Sequence, residues 1–444
     1  MCMRTAVLAL ALLLPLSAAA EDGGPDVTMP LVEKTLRFLR DTALSPPSDA
    51  ALLRAGALRI CGEDLSAPGC DAPGLVEPAA GASGPDAARA WRRVLESALA
   101  GAILEGDGDF DKTAFQRYVM DAMVEALEDP ASFYVLPSVY REIASISSDF
   151  EGFGFRVGYA KDCLRAVAVH AGSPAAEAGL LHGERITAVN GKPVTGYHRP
   201  IALAAIWGAE GDEIRLTLQR EGGGSRELTL RYRPWSFEPY SVRYSGDALV
   251  LRVRYFGEGL ADALRRELSG PCACRAIVLD LRDASAGDGD EMAALADLLL
   301  AEQPLGSKEL RDEIGRRAWA AADGTPCERT DLPLLAVVNS GTTGLSEVLA
   351  AGLREADRAL LLGARTAGLD TLETLRPFPD GSAVQVTSTR LLGPGRSDLS
   401  EGVEPHVATA RAAVVELALE IVSSCAGSSL EDLLASAREA LAER

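Results

Sequence analysis

The segment PLLAVVNSGTTGLSEVLAAGL, Pro333 to Leu353, decides how the C-terminal half of this 444-residue chain folds. Its apolar start predicts a buried strand over Leu334–Val338, its small residues predict a turn over Asn339–Thr343, and a helix is predicted to begin near Gly344. A strand that enters a helix through such a turn aims backbone N–H groups and the first helical side chains at one point. Hydrolases place a nucleophile and an oxyanion hole at such a point, but Gly344 has no side chain.

The overall composition is that of an ordinary globular protein, with 47% hydrophobic and 24% charged residues. The length allows about three domains. The formal net charge is −20 at pH 7, and a strongly acidic surface disfavours nucleic acid and anionic membranes as partners. We therefore expect no nucleic-acid binding.

The N-terminus differs from the rest of the chain. A positive charge at Arg4, an apolar run over Thr5–Leu16 and small residues over Ser17–Ala20 are typical of a secretory signal peptide. An uncleaved anchor is the alternative, which the short apolar core and the Ala-x-Ala cleavage site disfavour. No later apolar run is long enough to span a bilayer. We predict a signal peptide over residues 1–20, no transmembrane segment after its cleavage, and a periplasmic or secreted location.

The spacing of two cysteines also indicates an exported protein. Cys61 and Cys70 bracket a loop that contains Gly and Pro, which predicts a disulfide in an oxidising compartment. Four further cysteines are pairing candidates whose connectivity the sequence leaves open: Cys272, Cys274, Cys327 and Cys425.

The sequence disfavours both a zinc site and a calcium site. No second ligand pair with zinc-like spacing follows Cys272-Ala-Cys274. Five acids miss the spacing of a calcium loop and are interpreted as a solvated loop: Asp280, Asp283, Asp288, Asp290 and Glu291. We therefore expect no metal ion and no cofactor.

Residues 27–146 are predicted to form a small helical region. Two sets of apolar residues recur at helical spacing: Val32, Leu36, Leu39 and Ala43, and then Phe115, Val119, Ala122 and Ala126. The stretch between them, Ser45 to Pro85, is predicted to be mostly loop.

Residues 148–233 contain short alternating strands that Gly and Pro separate. Three motifs follow one another in order, and together they resemble a PDZ domain: Gly152-Phe153-Gly154-Phe155, Gly172-Ser-Pro-Ala-Ala176, and Gly183-Glu-Arg-Ile186 with Val189-Asn-Gly191. The resemblance implies that the first motif is the carboxylate-binding loop. Its backbone N–H groups would hold a peptide's terminal carboxylate while the peptide adds a strand to an open sheet edge.

Strand and helix patterns alternate over residues 246–424, which predicts an α/β domain, and a C-terminal helix follows over 428–444. The predicted strands are Ala248–Tyr255, Ala276–Arg282, Leu334–Val338, Ala359–Leu362 and Val384–Leu391. The predicted helices are Gly259–Leu268, Glu291–Leu300, Ser346–Arg354, Ala408–Val422 and Ser429–Ala442. Pro234–Ser245 is predicted to be a linker.

This domain order in an exported chain resembles the C-terminal processing peptidases, also called tail-specific proteases. The matching segments are Glu128–Tyr134, Val278–Arg282, Leu334–Glu347, Pro379–Ser382 and Gly402–Pro405. The resemblance implies an α+β multidomain fold: an N-terminal helical region, a PDZ β-barrel-like domain and an α/β peptidase-like core. It also implies that peptides or protein C-termini are partners, and that a serine nucleophile, a lysine base and a glutamine perform the family's hydrolysis.

At the catalytic positions this chain departs from the family. The serine position is Gly344, the lysine position is Leu369 and the glutamine position is Glu373, while Asp283–Gly287 replaces the oxyanion-side Asn-Asn-Pro-Gly-Gly. A serine hydroxyl attacks only when a neighbour takes its proton, and no lysine follows Lys308. We therefore expect no catalytic residues and interpret the chain as a secreted pseudopeptidase, whose partner would be an active peptidase or an envelope protein.

Two alternatives stay open. In an active serine-type peptidase with a rearranged site, Thr342, Thr343 or Ser346 would supply the hydroxyl and His406 the base. In a carrier, the vacated cleft would hold a small apolar ligand.

Overall fold

The computed structural model describes most of the chain beyond residue 26. The described residues are 27–62, 70, 83–105, 110–129, 131–138, 140–141, 151–159, 163–170, 172–181, 183–194, 206, 211–219, 223–235, 238–269, 274–284, 287–300, 303–310, 317–320, 332–409, 413–425 and 429–442. The signal peptide predicted over residues 1–20 lies outside them. No described helix combines the length and the apolar character that crossing a bilayer requires.

The described part of the chain mixes helices and sheets, which makes it an α+β multidomain protein. The helices are α1 (Pro30–Thr42), α2 (Asp49–Cys61), α3 (Pro85–Glu105), α4 (Lys112–Glu125), α5 (Pro174–Glu177), α6 (Leu260–Ser269), α7 (Gly289–Asp297), α8 (Leu345–Glu355), α9 (Val414–Ser424) and α10 (Leu430–Ala442). The strands are β1 (Phe133–Val135), β2 (Glu151–Gly152), β3 (Phe155–Tyr159), β4 (Leu164–Val169), β5 (Arg185–Val189), β6 (Lys192–Pro193), β7 (Glu213–Gln219), β8 (Ser225–Arg231), β9 (Arg233–Pro234), β10 (Tyr240–Ser245), β11 (Ala248–Val253), β12 (Ala276–Asp280), β13 (Pro304–Leu310), β14 (Arg317–Ala320), β15 (Leu334–Val338), β16 (Leu360–Gly363), β17 (Thr371–Pro377), β18 (Ala383–Leu392) and β19 (Val407–Ala408).

The chain divides into two compact units. The first unit comprises Met1–Arg141 and Glu373–Ser388, and the second comprises Glu142–Leu372 and Thr389–Arg444. In the first unit, α1 to α4 enclose an apolar core that includes the buried Trp91, and β1 pairs antiparallel with the start of β18. A disulfide joins Cys61 and Cys70, as their spacing predicts.

The loop predicted for Ser45–Pro85 is wrong over α2. This helix begins after Ser48, whose Oγ accepts a hydrogen bond from the Ala51 N–H at 3.3 Å and so caps the first turn. It packs against both α3 and α4. A helix that is covered on two sides shows no single apolar stripe, so the periodicity of the sequence does not reveal it.

Within the second unit, the PDZ-like segment forms a sheet in the strand order β3-β4-β5-β7-β8, with β6 paired to β5. The pairs are antiparallel throughout. Strand β3 ends this order, so one of its edges has no partner strand among the described residues.

The α/β part of the second unit is a sheet in the order β10-β11-β12-β15-β16-β19, parallel from β11 onward. Side chains on one face pack with α6, α7 and α8, and those on the other face pack with α9 and α10. The carboxyl ends of the parallel strands meet at one edge, where open α/β sheets bind their ligands. The strand predictions for this core agree with the structure to within two residues at each end.

Two predictions for the same region are wrong. Pro234–Ser245 is not simply a linker, because β10 pairs antiparallel with β11 across a turn at Gly246 and Asp247. The helix predicted over Ala408–Val422 begins only at Val414, since Val407 and Ala408 extend the parallel sheet beside β16.

Candidate functional site

Position 344 is the bend between β15 and α8. Gly344 is the N-cap of α8, with φ 60° and ψ −121°, a backbone conformation that residues with a side chain rarely adopt. Nucleophile elbows hold their reactive residue in this kind of strained strand-to-helix turn. The backbone of an elbow is therefore present although its side chain is missing.

Packing leaves room for a side chain at position 344. A Cβ added to Gly344 would lie 3.9 Å from both the Leu369 carbonyl oxygen and Leu391 Cδ1, which is ordinary van der Waals contact. At Gly341, by contrast, a Cβ would lie 2.4 Å from Asp283 Oδ1. A Cβ at position 344 is therefore opposed by the positive φ and not by close contacts, and that conformation costs about 1–3 kcal/mol.

Glu347 connects the elbow to the loop that carries Leu369. Its Oε2 accepts hydrogen bonds from the N–H groups of Gly344 and Leu369 at 3.0 and 2.9 Å. Its Oε1 accepts from the Gly368 N–H at 2.7 Å and from the Thr366 hydroxyl at 2.6 Å. Complete burial raises the pKa of Glu347, although all four hydrogen bonds act in the opposite direction.

The other side of the elbow is held by Asn339. Its Oδ1 accepts hydrogen bonds from the N–H groups of Asp283 and Gly341 at 3.0 and 2.9 Å, and its Nδ2 donates to Asp283 Oδ1 at 2.9 Å. This contact joins the loop after β12 to the loop after β15. Ser285 and Ala286, which belong to the oxyanion-side segment predicted from the sequence, lie outside the described residues.

The hydroxyls beside Gly344 are buried. Thr342 Oγ1 donates to the Leu281 carbonyl oxygen at 2.8 Å, and the exposed fractions of Thr342, Thr343 and Ser346 are 0%, 6% and 0%. The three hydroxyls are therefore shielded from solvent in this structure.

His406 lies away from the elbow. Its Nδ1 accepts a hydrogen bond from the Leu361 N–H at 3.0 Å, and burial, followed by the charge of Arg354, lowers its pKa. Arg354 is in the last turn of α8, whose 11 residues make a helix about 16 Å long. The structure therefore associates His406 with the end of α8 opposite Gly344.

The two other positions that the sequence aligns with the family's catalytic residues have different surroundings. Leu369 is half-buried, and its carbonyl oxygen accepts a hydrogen bond from the Gly344 N–H at 3.1 Å. Glu373 is exposed on β17 and belongs to the first unit. Of the predicted positions, the structure brings Gly344 and Leu369 together.

The solvated loop inferred for the five acids is wrong for Asp280, which is buried, whereas Asp288 and Asp290 are exposed. Asp280 is buried and accepts two hydrogen bonds from the Arg282 guanidinium. Asp288 caps α7, and the Glu291 carboxylate accepts hydrogen bonds from the N–H groups of Gly259 and Ala261 at the start of α6. These acids hold helix termini and an ion pair, contacts that sequence spacing does not show.

The predicted carboxylate-binding loop is closely packed. The Phe153 side chain is buried against Tyr232, with ring centroids 5.5 Å apart, so only the backbone of Phe153 is available to a peptide. The Gly154 carbonyl oxygen accepts hydrogen bonds from the His170 N–H and the Ser173 hydroxyl, each at 3.0 Å. A Cβ at Gly154 would lie 2.0 Å from Ser173 Cβ, so the loop requires glycine there.

Comparison with known proteins agrees with this architecture. The family model for peptidase family S41 matches residues 247–409, and the model for the PDZ domain matches residues 165–220. Among solved structures, the photosystem II D1 C-terminal processing protease has a TM-score of 0.64 at 20% identity, over 87% of this chain and 93% of that one. These findings define a PDZ-containing protein with the fold of an S41 peptidase.

Two curated proteases are similar to this chain in sequence. A probable CtpA-like serine protease of Staphylococcus aureus (strain COL) is 28% identical over 67% of this chain and 60% of its own length. The carboxy-terminal processing protease CtpA of Bacillus subtilis (strain 168) is 28% identical over 64% of this chain and 62% of its own length. The match thus spans about 60% of these relatives. The chain is therefore similar in sequence to C-terminal processing proteases over about two thirds of its own length.

Proposed function

We propose that this protein is a secreted pseudopeptidase that binds peptides or protein C-termini through its PDZ domain without cleaving them. Gly344 carries the proposal, because the elbow of the family's fold is retained while the attacking oxygen is absent. Loss of the nucleophile from such a catalytic set costs about a million-fold in turnover. Leu369 at the family's lysine position removes the usual proton acceptor as well.

An active peptidase with a rearranged site is less consistent with the contacts. The nearby hydroxyls of Thr342, Thr343 and Ser346 are buried, and the imidazole of His406 is engaged with the backbone of Leu361. The alternative of a small-ligand carrier stays a prediction that no contact among the described residues favours.

Peptide binding is supported by the end position of β3 in its sheet. A peptide that adds as a further strand gains main-chain hydrogen bonds at such an edge. The loop Gly152–Phe155 leads directly into β3, so a terminal carboxylate held by the loop would place the preceding peptide residues along this edge.

A periplasmic or secreted location is supported by the disulfide between Cys61 and Cys70, since such bonds persist in oxidising compartments. A secreted peptide-binding protein of this kind would act on an envelope protein or on an active peptidase.

Purified protein tests the proposal with an unfolded substrate protein and with fluorescent peptides that end in a free carboxylate or in an amide. We expect no cleavage, and we expect tighter binding of the free-carboxylate peptides. Cleavage that disappears when Thr342, Thr343 or Ser346 is replaced by alanine would establish the rearranged peptidase instead. Equal affinity for both peptide termini would remove the assigned role of the loop.

A further inference from the structure

Lys308 lies on the strand next to the elbow. In the antiparallel pair of β13 and β18, Lys308 is directly opposite Leu391. Directly opposite residues project from the same face of a sheet, with Cβ atoms about 4.5–5.5 Å apart. Since Leu391 Cδ1 lies 3.9 Å from a Cβ placed on Gly344, Lys308 belongs to the face that covers position 344.

The contacts between β13 and α8 give independent evidence for the location of Lys308. A Cβ on Gly352 would lie 2.8 Å from Leu305 Cδ2, and a Cβ on Gly306 would lie 2.7 Å from Val348 Cγ1. The strand therefore runs toward the N-terminus of α8 as its numbering rises.

From these contacts, we expect one further step along each element to bring Lys308 near Gly344. From Val348 to Gly344 is about 6 Å along the helix axis, and from Gly306 to Lys308 is about 6.6 Å along the strand. The register is regular between Gly306 and Lys308, since the recorded irregularity lies between Pro304 and Gly306. Gly306 and Lys308 thus share one face of the strand, from which a Cβ on Gly306 would reach Val348 of α8.

Lys308 is also the only lysine within residues 247–409, the segment that matches the peptidase family. Its side chain is half-buried, and its flexible four-carbon stem suits the short gap to position 344. Lys308 precedes the elbow segment in the chain, whereas the family's lysine follows it, so motif order does not point to Lys308.

We propose that Lys308 is placed to accept the proton of a hydroxyl at position 344, so that this chain lacks the nucleophile of a serine–lysine pair but keeps a base on β13. The inference goes beyond the proposed function, which concerns the natural residue Gly344. It replaces the expectation that the later segments leave the site without any base.

The implied reaction is an acyl transfer to a serine introduced by Gly344→Ser. Its hydroxyl oxygen attacks the carbonyl carbon of an ester while the Lys308 amine takes the hydroxyl proton. The resulting ammonium returns this proton to the leaving oxygen as the ester C–O bond breaks, so that the alcohol departs and an acyl-serine remains. Water then attacks the acyl-serine, releasing the acid and restoring the hydroxyl.

The first test compares Gly344→Ser with Gly344→Ala, which has the same backbone strain and no hydroxyl. A p-nitrophenyl ester measures turnover, and a fluorophosphonate probe followed by peptide mapping identifies the labelled serine. We expect labelling at position 344 and ester turnover only in Gly344→Ser. Adding Lys308→Met should lower both by about 100-fold to 10,000-fold.

Two results would overturn the inference: a folded Gly344→Ser that shows no labelling, or labelling that Lys308→Met leaves unchanged. Lys192→Met, on β6 of the PDZ-like segment, is the matched control and should have no effect. Cleavage by the wild-type protein would contradict the proposed function and leave this comparison intact, so the two failures are distinguishable.

A second variant tests proximity without requiring turnover. In Gly344→Cys, a nearby ammonium group favours the thiolate, so iodoacetamide should alkylate position 344 at lower pH than in the same variant with Lys308→Met. Peptide mapping separates this site from the other cysteines. Identical pH profiles with and without Lys308 would show that the amine does not reach position 344.

Discussion

The contact between Asn339 and Asp283 gives a quantitative prediction. Asn339→Asp keeps the size of the side chain and the two hydrogen bonds that its Oδ1 accepts from backbone N–H groups. It replaces the Nδ2 donor by an oxygen that faces Asp283 Oδ1 across 2.9 Å. The carboxylates of Asp283 and of the new aspartate would then face each other in place of the hydrogen bond.

The magnitude follows from that distance. Two unit charges 2.9 Å apart repel by about 6 kcal/mol at an effective dielectric constant of about 20. Protonating one carboxyl instead restores a hydrogen bond and, from an ordinary pKa of about 3.9, costs about 4 kcal/mol at pH 7. Protonating one carboxyl costs less free energy than keeping both charged. Asn339→Asp should therefore lose about 4 kcal/mol of unfolding free energy at pH 7.

The sign of the pH dependence is also determined. In Asn339→Asp the folded state holds a proton that the unfolded chain has released, so the loss should shrink by about 1.4 kcal/mol for each pH unit below 7. Equilibrium urea unfolding at pH 7, 6 and 5 measures this, with hydrogen exchange of the Gly341 amide as a local probe. Asn190→Asp is the matched control, because the exposed Asn190 uses its Oδ1 to accept from the Arg215 N–H. A deficit that is absent at pH 7, or that persists unchanged at pH 5, would refute the reasoning.

Three further predictions concern separate parts of the chain. Because burial raises the pKa of Glu347 above 4.5, the folded state binds a proton more tightly than the unfolded chain. The stability of wild type relative to Glu347→Gln should therefore fall as pH rises from about 4.5, as urea unfolding across pH will show. Removing the disulfide with Cys61→Ala and Cys70→Ala should cost about 2–3 kcal/mol, measured by urea unfolding, because the closed loop is short. Gly154→Ala should weaken peptide binding at least about tenfold in a fluorescence titration, whereas Gly172→Ala, which also has positive φ but has no atom within 4 Å of the new Cβ, should retain it.

The proposed pseudopeptidase would combine a retained scaffold with a changed site. The four hydrogen bonds to Glu347 hold the elbow and the following loop in register, and they involve no reacting group. Glycine at position 344 also relieves the backbone strain that a serine would carry there. A chain released from catalysis would gain stability at this position while keeping the fold around it.

Several features are determined by the sequence alone because their causes are local. The apolar run before Asn339 and the small residues after it specify β15 and the turn into α8, and the absence of a side chain at Gly344 is visible without coordinates. The short spacing of Cys61 and Cys70 similarly predicts their disulfide.

Tertiary structure alone decided the features that depend on pairing between distant segments. The contact of Asn339 with Asp283 follows from the parallel register of β12 and β15, and the position of Lys308 follows from its pairing with Leu391. A shift of one residue in either strand pair would turn these side chains to the opposite face. Local periodicity does not specify such a register, since it is set by the packing of whole sheets against α8 and the neighbouring helices.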